Sequence, residues 1–181
     1  MNITHRIILV VFIILFIFTC KKTPTDSGPV TVTFPDANFE ALIRVKLNKQ
    51  SGDITDLDLE HITALNGGGW NISDISGIEY CTNLQNLDLR ANQIIDISVL
   101  SGLVYLQTLA LLNNQIINIS PLSGLMNLQI LGLSGNQIVD ISPLLQNSGI
   151  GNGDAVYLTN NPLSDTSINT YIPQLEARGV I

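Results

Sequence analysis

The sequence has few charged side chains and few of the residues that carry catalysis or bind metal ions. Only 13% of its 181 residues are charged, and it contains two cysteines and two histidines. Its formal net charge is −7, and its 8 lysines and arginines form no cluster beyond Lys21 and Lys22. Because a nucleic-acid interface must neutralise a row of phosphates, this composition argues against nucleic-acid binding.

Familiar catalytic motifs are also missing. The sequence has no HExxH zinc motif, no GxSxG nucleophile elbow and no GxxxxGK phosphate loop. One of its histidines, His5, lies in the amino-terminal segment, so His61 is the one histidine of the rest of the chain. These absences predict a protein that is not an enzyme, with no catalytic residues, no metal site and no cofactor.

The first residues are typical of a bacterial export signal. Arg6 precedes an unbroken apolar run from Ile7 to Phe18. This run is too short to span a bilayer, which needs about 20 helical residues, but it suits the core of a signal peptide. The run ends at Thr19-Cys20, which resembles the lipobox of bacterial lipoproteins. That resemblance implies that Cys20 is lipidated and becomes the mature amino terminus; a plain secretion signal and an uncleaved anchor are the alternatives.

The residues after the signal predict a flexible tether. Residues 20–33 are rich in Thr, Pro, Ser and Gly, and such a composition cannot bury a core. We therefore expect a signal peptide at 1–19, a tether at 20–33, and an extracytoplasmic protein that is lipid-anchored to the outer membrane or cell surface, or else secreted. With Cys20 lipidated, Cys81 has no disulfide partner, and its position in an apolar column predicts a buried thiol.

What the sequence does contain is a 22-residue repeat. Three nearly identical segments begin at Leu84, Leu106 and Leu128, and each reads LxxLxLxxNxI. This pattern resembles the leucine-rich repeat. The resemblance implies an α/β solenoid with a short parallel sheet on its concave face and helical caps at both ends. The predicted repeats, including a degenerate first and a divergent last copy, are 62–83, 84–105, 106–127, 128–149 and 153–163, all within 62–163.

Each column of the repeat has a predicted role. Leucines two apart, such as Leu87 and Leu89, point inward while Asp88 between them points outward. The asparagine column is predicted to satisfy buried backbone groups at the turn after each strand. Its members are Asn92, Asn114, Asn136 and Asn161. An acid or amide also recurs at 74, 96, 118 and 140. One such side chain per repeat supplies too few oxygens for a metal ion, so we expect turn capping there.

Both ends of the chain predict caps that cover the solenoid core. In the amino-terminal cap, 34–61, Asp36 should cap a helix, and Thr55 with Asp58 should form a capping box on a second helix that points Leu57 inward. In the carboxyl-terminal cap, 164–181, Pro173 should kink the helix and Gly179 should end it. The apolar side chains expected to cover the last repeat are Ile168, Tyr171, Ile172 and Leu175. Together the "FPDANFEALIRV" cap, the "DISPL" return legs and the "YIPQLEARGV" end resemble bacterial secreted leucine-rich repeat proteins, including the internalin-like group.

That resemblance implies binding of a protein, peptide or glycan by the concave face, without catalysis. The expected contact residues are Asn86, Asp88, Arg90, Thr108, Leu112, Ile130, Ser134 and Tyr157. Five strands spaced by about 4.8 Å span only about 20 Å, which is small beside the ~800 Å² that each partner of a standard protein complex contributes. We therefore predict an adhesion-like binding module, with a structural envelope protein that contacts an envelope component or itself as the alternative.

Overall fold

A computed structural model describes residues 28–181, so the predicted signal, Cys20 and the first part of the predicted tether lie outside the described residues. The described part of the chain forms an open leucine-rich repeat solenoid capped by helices at both ends. Within that range, no helix combines the length and the apolarity needed to cross a membrane.

The solenoid is built on a parallel sheet of five three-residue strands. They are β1 (Ala64–Asn66), β2 (Asn86–Asp88), β3 (Thr108–Ala110), β4 (Ile130–Gly132) and β5 (Ala155–Tyr157). The strands lie in sequence order, and each residue pairs with its counterpart in the next repeat, as Leu87 does with Leu109. The last interval is longer because the segment after Gln146 inserts extra residues, yet Leu131 still pairs with Val156.

Inward-facing leucines and isoleucines of every repeat form one continuous core. The columns headed by Leu84, Leu87 and Leu89 are almost fully buried in each of the three regular repeats. Cys81 takes the place of a leucine of that core and is completely buried. Burial raises the pKa of its thiol to about 12, and the nearby Glu79 carboxylate adds to the effect.

The return leg of each of the first four repeats forms a short helix. These helices are 3₁₀ turns at Ile78–Tyr80, Ser98–Gly102 and Ser120–Gly124, and an α-helical turn, α3, at Ser142–Gln146. Before each leg, the side chain at 74, 96, 118 or 140 accepts a hydrogen bond from the backbone N–H two residues later, at 2.8–2.9 Å. The recurring acid or amide thus caps a turn.

Two helices cover the amino-terminal end of the core. Asp36 caps α1 (Ala37–Leu47), and Thr55 caps α2 (Asp56–Leu59) through a capping box with Asp58. The prediction that Leu57 points inward was wrong. Leu57 is half exposed and Leu59 is buried instead, because a helix of only four residues presents a single position to the core.

The boundary of the amino-terminal cap also differs from the prediction. The predicted tether ran to Thr33, but Val32 is buried and its backbone N–H donates to the carbonyl of Ile54 at 2.8 Å. Thr31 forms an antiparallel bridge with Thr55. Residues 30–33 are therefore part of the cap, because their backbone pairs with that of residues 54–56 and Val32 is buried in the core.

The carboxyl-terminal cap consists of a π-helical turn, Ser167–Tyr171, followed by α4 (Ile172–Ala177), with Pro173 in its first turn. Tyr171, Ile172 and Leu175 pack on the core as expected. Ile168 does not, since it is about half exposed. Its neighbour Ser167 is buried instead, and its hydroxyl donates to the Val139 carbonyl and accepts from the Ile141 N–H.

Candidate binding face of the solenoid

The outward-facing side chains of β1–β5, with the residue two positions after each strand, form the surface that we call the concave face. The strand register places these side chains in three rows. The first row is Ala64, Asn86, Thr108, Ile130 and Ala155; the second is Asn66, Asp88, Ala110, Gly132 and Tyr157; the third is Gly68, Arg90, Leu112, Ser134 and Thr159. Every contact residue expected from the sequence lies in one of these rows.

An apolar group occupies the carboxyl-terminal half of the concave face. Leu112 bends over Gly132, where an added Cβ would lie 2.4 Å from the Leu112 Cδ1 atom. Beside it, Ile130 is 48% exposed and Tyr157 is 53% exposed. Gly132, the residue of β4 in the second row, is therefore buried beneath Leu112. The result is a low apolar ridge with a tyrosine at its edge.

A charged pair lies in the amino-terminal half of the concave face. The Arg90 guanidinium donates to both carboxylate oxygens of Asp88, with Nε–Oδ1 at 2.9 Å and Nη2–Oδ2 at 2.8 Å. Asp88 raises the pKa of Arg90 through these hydrogen bonds and its charge. Since the two charges neutralise each other, this pair adds polar groups but no net charge to the concave face.

A cavity of about 470 Å³ lies where α1 overhangs β1, β2 and β3. Val45 and Lys46 of α1 and Trp70 of the first repeat contribute to its walls, and Ala64 and Ala110 contribute to its floor. No pattern in the sequence predicts that Val45, Lys46 or Trp70 lies next to the concave face. One feature of the sequence does single out Trp70: it occupies the position of the first repeat at which the later repeats have an asparagine.

The asparagine column lies beside the concave face and serves the backbone. Each asparagine accepts a hydrogen bond from an N–H of the preceding repeat and donates to carbonyls on both sides. For Asn114, the donor is the Ile94 N–H at 3.0 Å, and the acceptors are the carbonyls of Leu89 at 3.0 Å and Leu111 at 3.1 Å. Asn92, Asn136 and Asn161 make equivalent bonds. Their amides are thus engaged within the protein.

A further structural asparagine was missed from the sequence. Asn147 begins the inserted segment before β5, is completely buried, and donates to the carbonyls of Leu122 and Leu125. Its side-chain oxygen accepts from the Gly149 N–H at 2.9 Å. Asn147 stands 22 residues after Leu125, in the column of Cys81 and Leu103, where the repeat predicts a buried apolar side chain, so the pattern did not reveal its polar role.

Comparison with known proteins identifies the repeat type. The family model described as "Leucine Rich repeats (2 copies)" matches residues 106–146. Internalin H of Listeria monocytogenes is 33% identical over 72 residues, which cover 39% of this chain and 13% of internalin H. The crystal structure of an internalin (InlF) from the same species superposes with a TM-score of 0.71 and 41% identity, and covers 80% of this chain and 43% of that chain.

A more distant similarity concerns the fold alone. A plant ice-binding protein superposes with a TM-score of 0.51 and 23% identity, over 59% of this chain and 36% of that protein. The chain thus spans less than half of the matched internalin structure and a small part of internalin H.

Proposed function

Since the chain is an internalin-like leucine-rich repeat protein, we propose that it is a non-catalytic binding module of the bacterial cell envelope, which contacts a protein, peptide or glycan through its concave face. The observation that carries this proposal is the apolar ridge of Leu112, Ile130 and Tyr157. Exposed aliphatic and tyrosine side chains in one group are typical of the centre of a binding surface. They cost solubility and add nothing to the core.

The proposal includes a location. Lipidation at Cys20 would hold the domain at the membrane surface, and many anchored copies would multiply a weak contact by raising the effective concentration of the second binding event. This suits a concave face of only five strands. Secretion without a lipid is the alternative location.

The location is tested by metabolic labelling with a tagged fatty acid. We expect label on the wild-type protein and none on Cys20→Ala, together with cleavage of the wild-type protein by protease added to whole cells. The matched control is Cys81→Ala, which keeps Cys20 and should keep the label. Equal labelling of wild type and Cys20→Ala would refute lipidation at this residue.

The binding face is tested with the double substitution Leu112→Ala and Tyr157→Ala. The purified protein is titrated onto isolated bacterial envelopes and onto cultured epithelial cells, and bound protein is quantified. We expect at least about a tenfold loss of affinity, since central contact residues each contribute more than about 1 kcal/mol. The variant must keep the wild-type circular dichroism spectrum. Unchanged binding by this folded variant would exclude the ridge as the contact surface.

The alternative, a structural envelope protein with an envelope or self partner, is favoured by a different surface. Ile95, Ile117 and Val139 occupy the same position in three successive repeats, away from the concave face, and each is about half exposed. The backbone N–H groups of Gln115 and Gln137 donate to the carbonyls of Ile94 and Ile116 at 2.9 Å, so successive repeats are in contact next to these side chains, which form an apolar stripe. A stripe of this kind can pack against an extended apolar surface.

The two functions are separated by a second variant, Ile117→Ser, in the middle of that stripe. A concave-face binding module keeps its envelope or cell binding in Ile117→Ser and loses it in the Leu112/Tyr157 variant. A structural protein gives the opposite result. Sedimentation analysis of the wild type and both variants tests for a self partner. If the protein self-associates, only the variant at the contact surface becomes monomeric.

A further inference from the structure

The cavity beneath α1 has the dimensions of a small-ligand site. Its volume of about 470 Å³ lies within the range of ~300–1,000 Å³ usual for such sites. Its floor is low because Ala64 and Ala110 are the outward side chains at those strand positions. The α1 helix closes one side and solvent reaches the other. A single ring with its substituents fits this space, whereas a folded partner does not.

One wall of the cavity is aromatic. Trp70 occupies the position where later repeats have the ladder asparagine, and it is 37% exposed. The first repeat follows no other repeat, so an asparagine here would find no preceding turn to bond. The position is therefore free for a side chain with another use. With Val45 of α1, the indole gives an apolar wall onto which the C–H face of a pyranose ring can pack.

Polar side chains surround the floor. Asn66 accepts from the Gly68 N–H through its oxygen, which leaves its NH₂ group to donate. Asn86 and Thr108 are direct neighbours in β2 and β3, and strands lie about 4.8 Å apart. Their amide and hydroxyl side chains therefore lie side by side on the outward face of the sheet. A few placed polar groups against an apolar wall are what a specific small-ligand site requires.

The cavity carries one uncompensated charge, and it is positive. Ion pairs within residues 28–181 engage Arg44, Lys49 and Arg90, but not Lys46. Asp88, which also lines the cavity, is neutralised by Arg90. In a protein of net charge −7, a lone ammonium beside an aromatic wall selects for a ligand with a carboxylate.

The backbone argues for a sugar and against an extended peptide. A peptide that adds to a sheet gains affinity from main-chain hydrogen bonds at an open edge. The cavity instead lies on the face of the sheet, where outward side chains of β1, β2 and β3 form the floor and the strands pair with one another in the plane of the sheet. Side-chain amides and hydroxyls on this floor suit a ligand rich in hydroxyl groups.

We propose that this cavity binds one carboxylate-bearing sugar residue of a glycan, with its ring on Trp70 and its carboxylate at Lys46. The proposal rests on the proposed function, because it names the ligand class for one end of the same face. It places the carboxylate-bearing sugar in the cavity, whereas the Leu112–Tyr157 ridge is a separate contact region of the concave face. The two regions can therefore be tested independently.

The experiment uses the fluorescence of Trp70, the one tryptophan of the sequence. The full-length protein, purified in a detergent without a sugar headgroup, is titrated with sodium glucuronate and, separately, with glucose, which has the same ring but no carboxylate. We expect a saturable emission change with both sugars and about tenfold tighter binding of glucuronate, at millimolar affinities typical of single small contacts. Sodium chloride at equal ionic strength controls for salt.

Two variants locate the binding. Lys46→Ala, on an exposed position of α1, should reduce the affinity for glucuronate to that for glucose and leave glucose binding unchanged. Val104→Ala, at an exposed position outside the three rows of the concave face, should leave the binding of both sugars unchanged. Circular dichroism confirms that both variants are folded.

Three results would overturn the proposal. They are no saturable emission change with either sugar, equal affinity for the two sugars in the wild type, and binding of a blocked tri-glutamate peptide as tight as that of glucuronate. If the sugars do not bind while the Leu112/Tyr157 variant loses its envelope or cell binding, the cavity inference fails and the proposed function stands. If the sugars bind and that variant loses nothing, the cavity inference stands and the ridge is excluded as the contact surface.

Discussion

Hydrogen-bonding side chains at a few positions connect each structural unit to the next. Asn114 joins two repeats, and Asp36 joins the amino-terminal cap to the first repeat. Asp36 accepts from the N–H groups of Asn38 and Phe39 with one oxygen, and from the N–H and hydroxyl of Ser73 with the other. A single carboxylate therefore both starts α1 and fastens it to the solenoid.

The asparagine column should be most sensitive where it is most buried. Asn114→Ala leaves the Ile94 N–H and the Leu89 and Leu111 carbonyls without their partner, and we expect a loss of about 3 kcal/mol in the free energy of unfolding. Asn161→Ala removes equivalent bonds at a half-buried position, where water replaces them, and should cost about 1 kcal/mol. Urea denaturation of the two variants measures the difference. If both variants lost the same free energy of unfolding, burial of the asparagine would not determine the size of the effect.

Asp36 also predicts a pH dependence of stability. Burial alone would raise its pKa, but hydrogen bonds from Ser73, Phe39 and Asp74 lower it from 3.8 to about 2. Hydrogen bonds from Lys49 and Thr55 likewise lower the pKa of Asp58 to about 2. A lowered folded-state pKa means that the ionised form stabilises the fold. That stabilisation is complete above about pH 5 and is lost as the pH falls below 4 toward 2.

The test compares wild type with Asp36→Asn in urea denaturation from pH 7 to pH 2.5. At pH 7 we expect the variant to be less stable by about 1–2 kcal/mol, since it loses charge-assisted hydrogen bonds. Its stability should also fall less between pH 4 and pH 2.5, because one titrating group is missing. Parallel pH profiles for the two proteins would contradict this assignment.

At the scale of the element, the amino-terminal cap and the first repeat share their packing. Gly67 stands where the other repeats have the third core leucine, and the space is filled from α1. A Cβ on Gly67 would lie 2.4 Å from the Leu42 Cδ2 atom and 3.1 Å from the Leu89 Cδ2 atom. The cap therefore supplies the leucine that the repeat lacks.

This arrangement predicts that restoring the consensus residue will be harmful. Gly67→Leu should destabilise the protein by about 2–3 kcal/mol, because both Leu42 and Leu89 are buried and cannot move aside. The double variant Gly67→Leu with Leu42→Ala should recover more than about 1 kcal/mol of that loss, as expected for two side chains that compete for one space. Urea denaturation of the two single variants and the double variant measures the coupling.

Gly102→Ala is the matched control for Gly67. No atom lies within 4 Å of a Cβ built at Gly102, so the substitution should be neutral or stabilising by up to about 1 kcal/mol. If Gly67→Leu proved as harmless as Gly102→Ala, the first repeat would have room for its own leucine, and the shared packing would be refuted.

At the scale of the whole molecule, the repeats should behave as nearly interchangeable units. Deleting residues 106–127 removes one repeat and joins β2 to β4 in the register that each already uses with β3. We expect a folded protein whose urea m-value falls by about a seventh, in proportion to the buried surface lost. Deleting 106–125 instead leaves two residues over and should prevent cooperative folding. Far-UV circular dichroism in urea tests both, and the loss of cooperativity in the 22-residue deletion would contradict the prediction.

The sequence predicts this fold well wherever a residue repeats and poorly where a residue occurs once. The strand register, the leucine core and the turn-capping side chains each recur every 22 residues, so one pattern reveals all copies. Asn147, Gly67 and the pairing of Val32 occur once each, and their roles depend on what lies opposite in space. Leu57 and Ile168 were assigned inward from apolarity alone, and in each case a neighbouring residue reaches the core instead.

In the candidate site, too, the repeated positions could be predicted from the sequence and the positions that occur once could not. The three rows of the concave face follow from strand alternation, so their membership could be read from the sequence. The cavity beneath α1 could not, because it depends on how the cap helix leans over β1, β2 and β3. Which of these residues touch a partner stays a prediction.

The asparagine bonds have a direction, and this sets the order in which the fold can be completed. Each ladder asparagine bonds an N–H and a carbonyl of the repeat before it, so a repeat is finished only by the one that follows. A chain that emerges amino end first from a ribosome or a translocation channel therefore always carries one unfinished turn, about 22 residues behind its newest segment. After Asn161, the hydroxyl of Ser167 serves the last leg through Val139 and Ile141. During synthesis, each repeat is thus completed only when the next one has formed, and the carboxyl-terminal cap completes the last repeat.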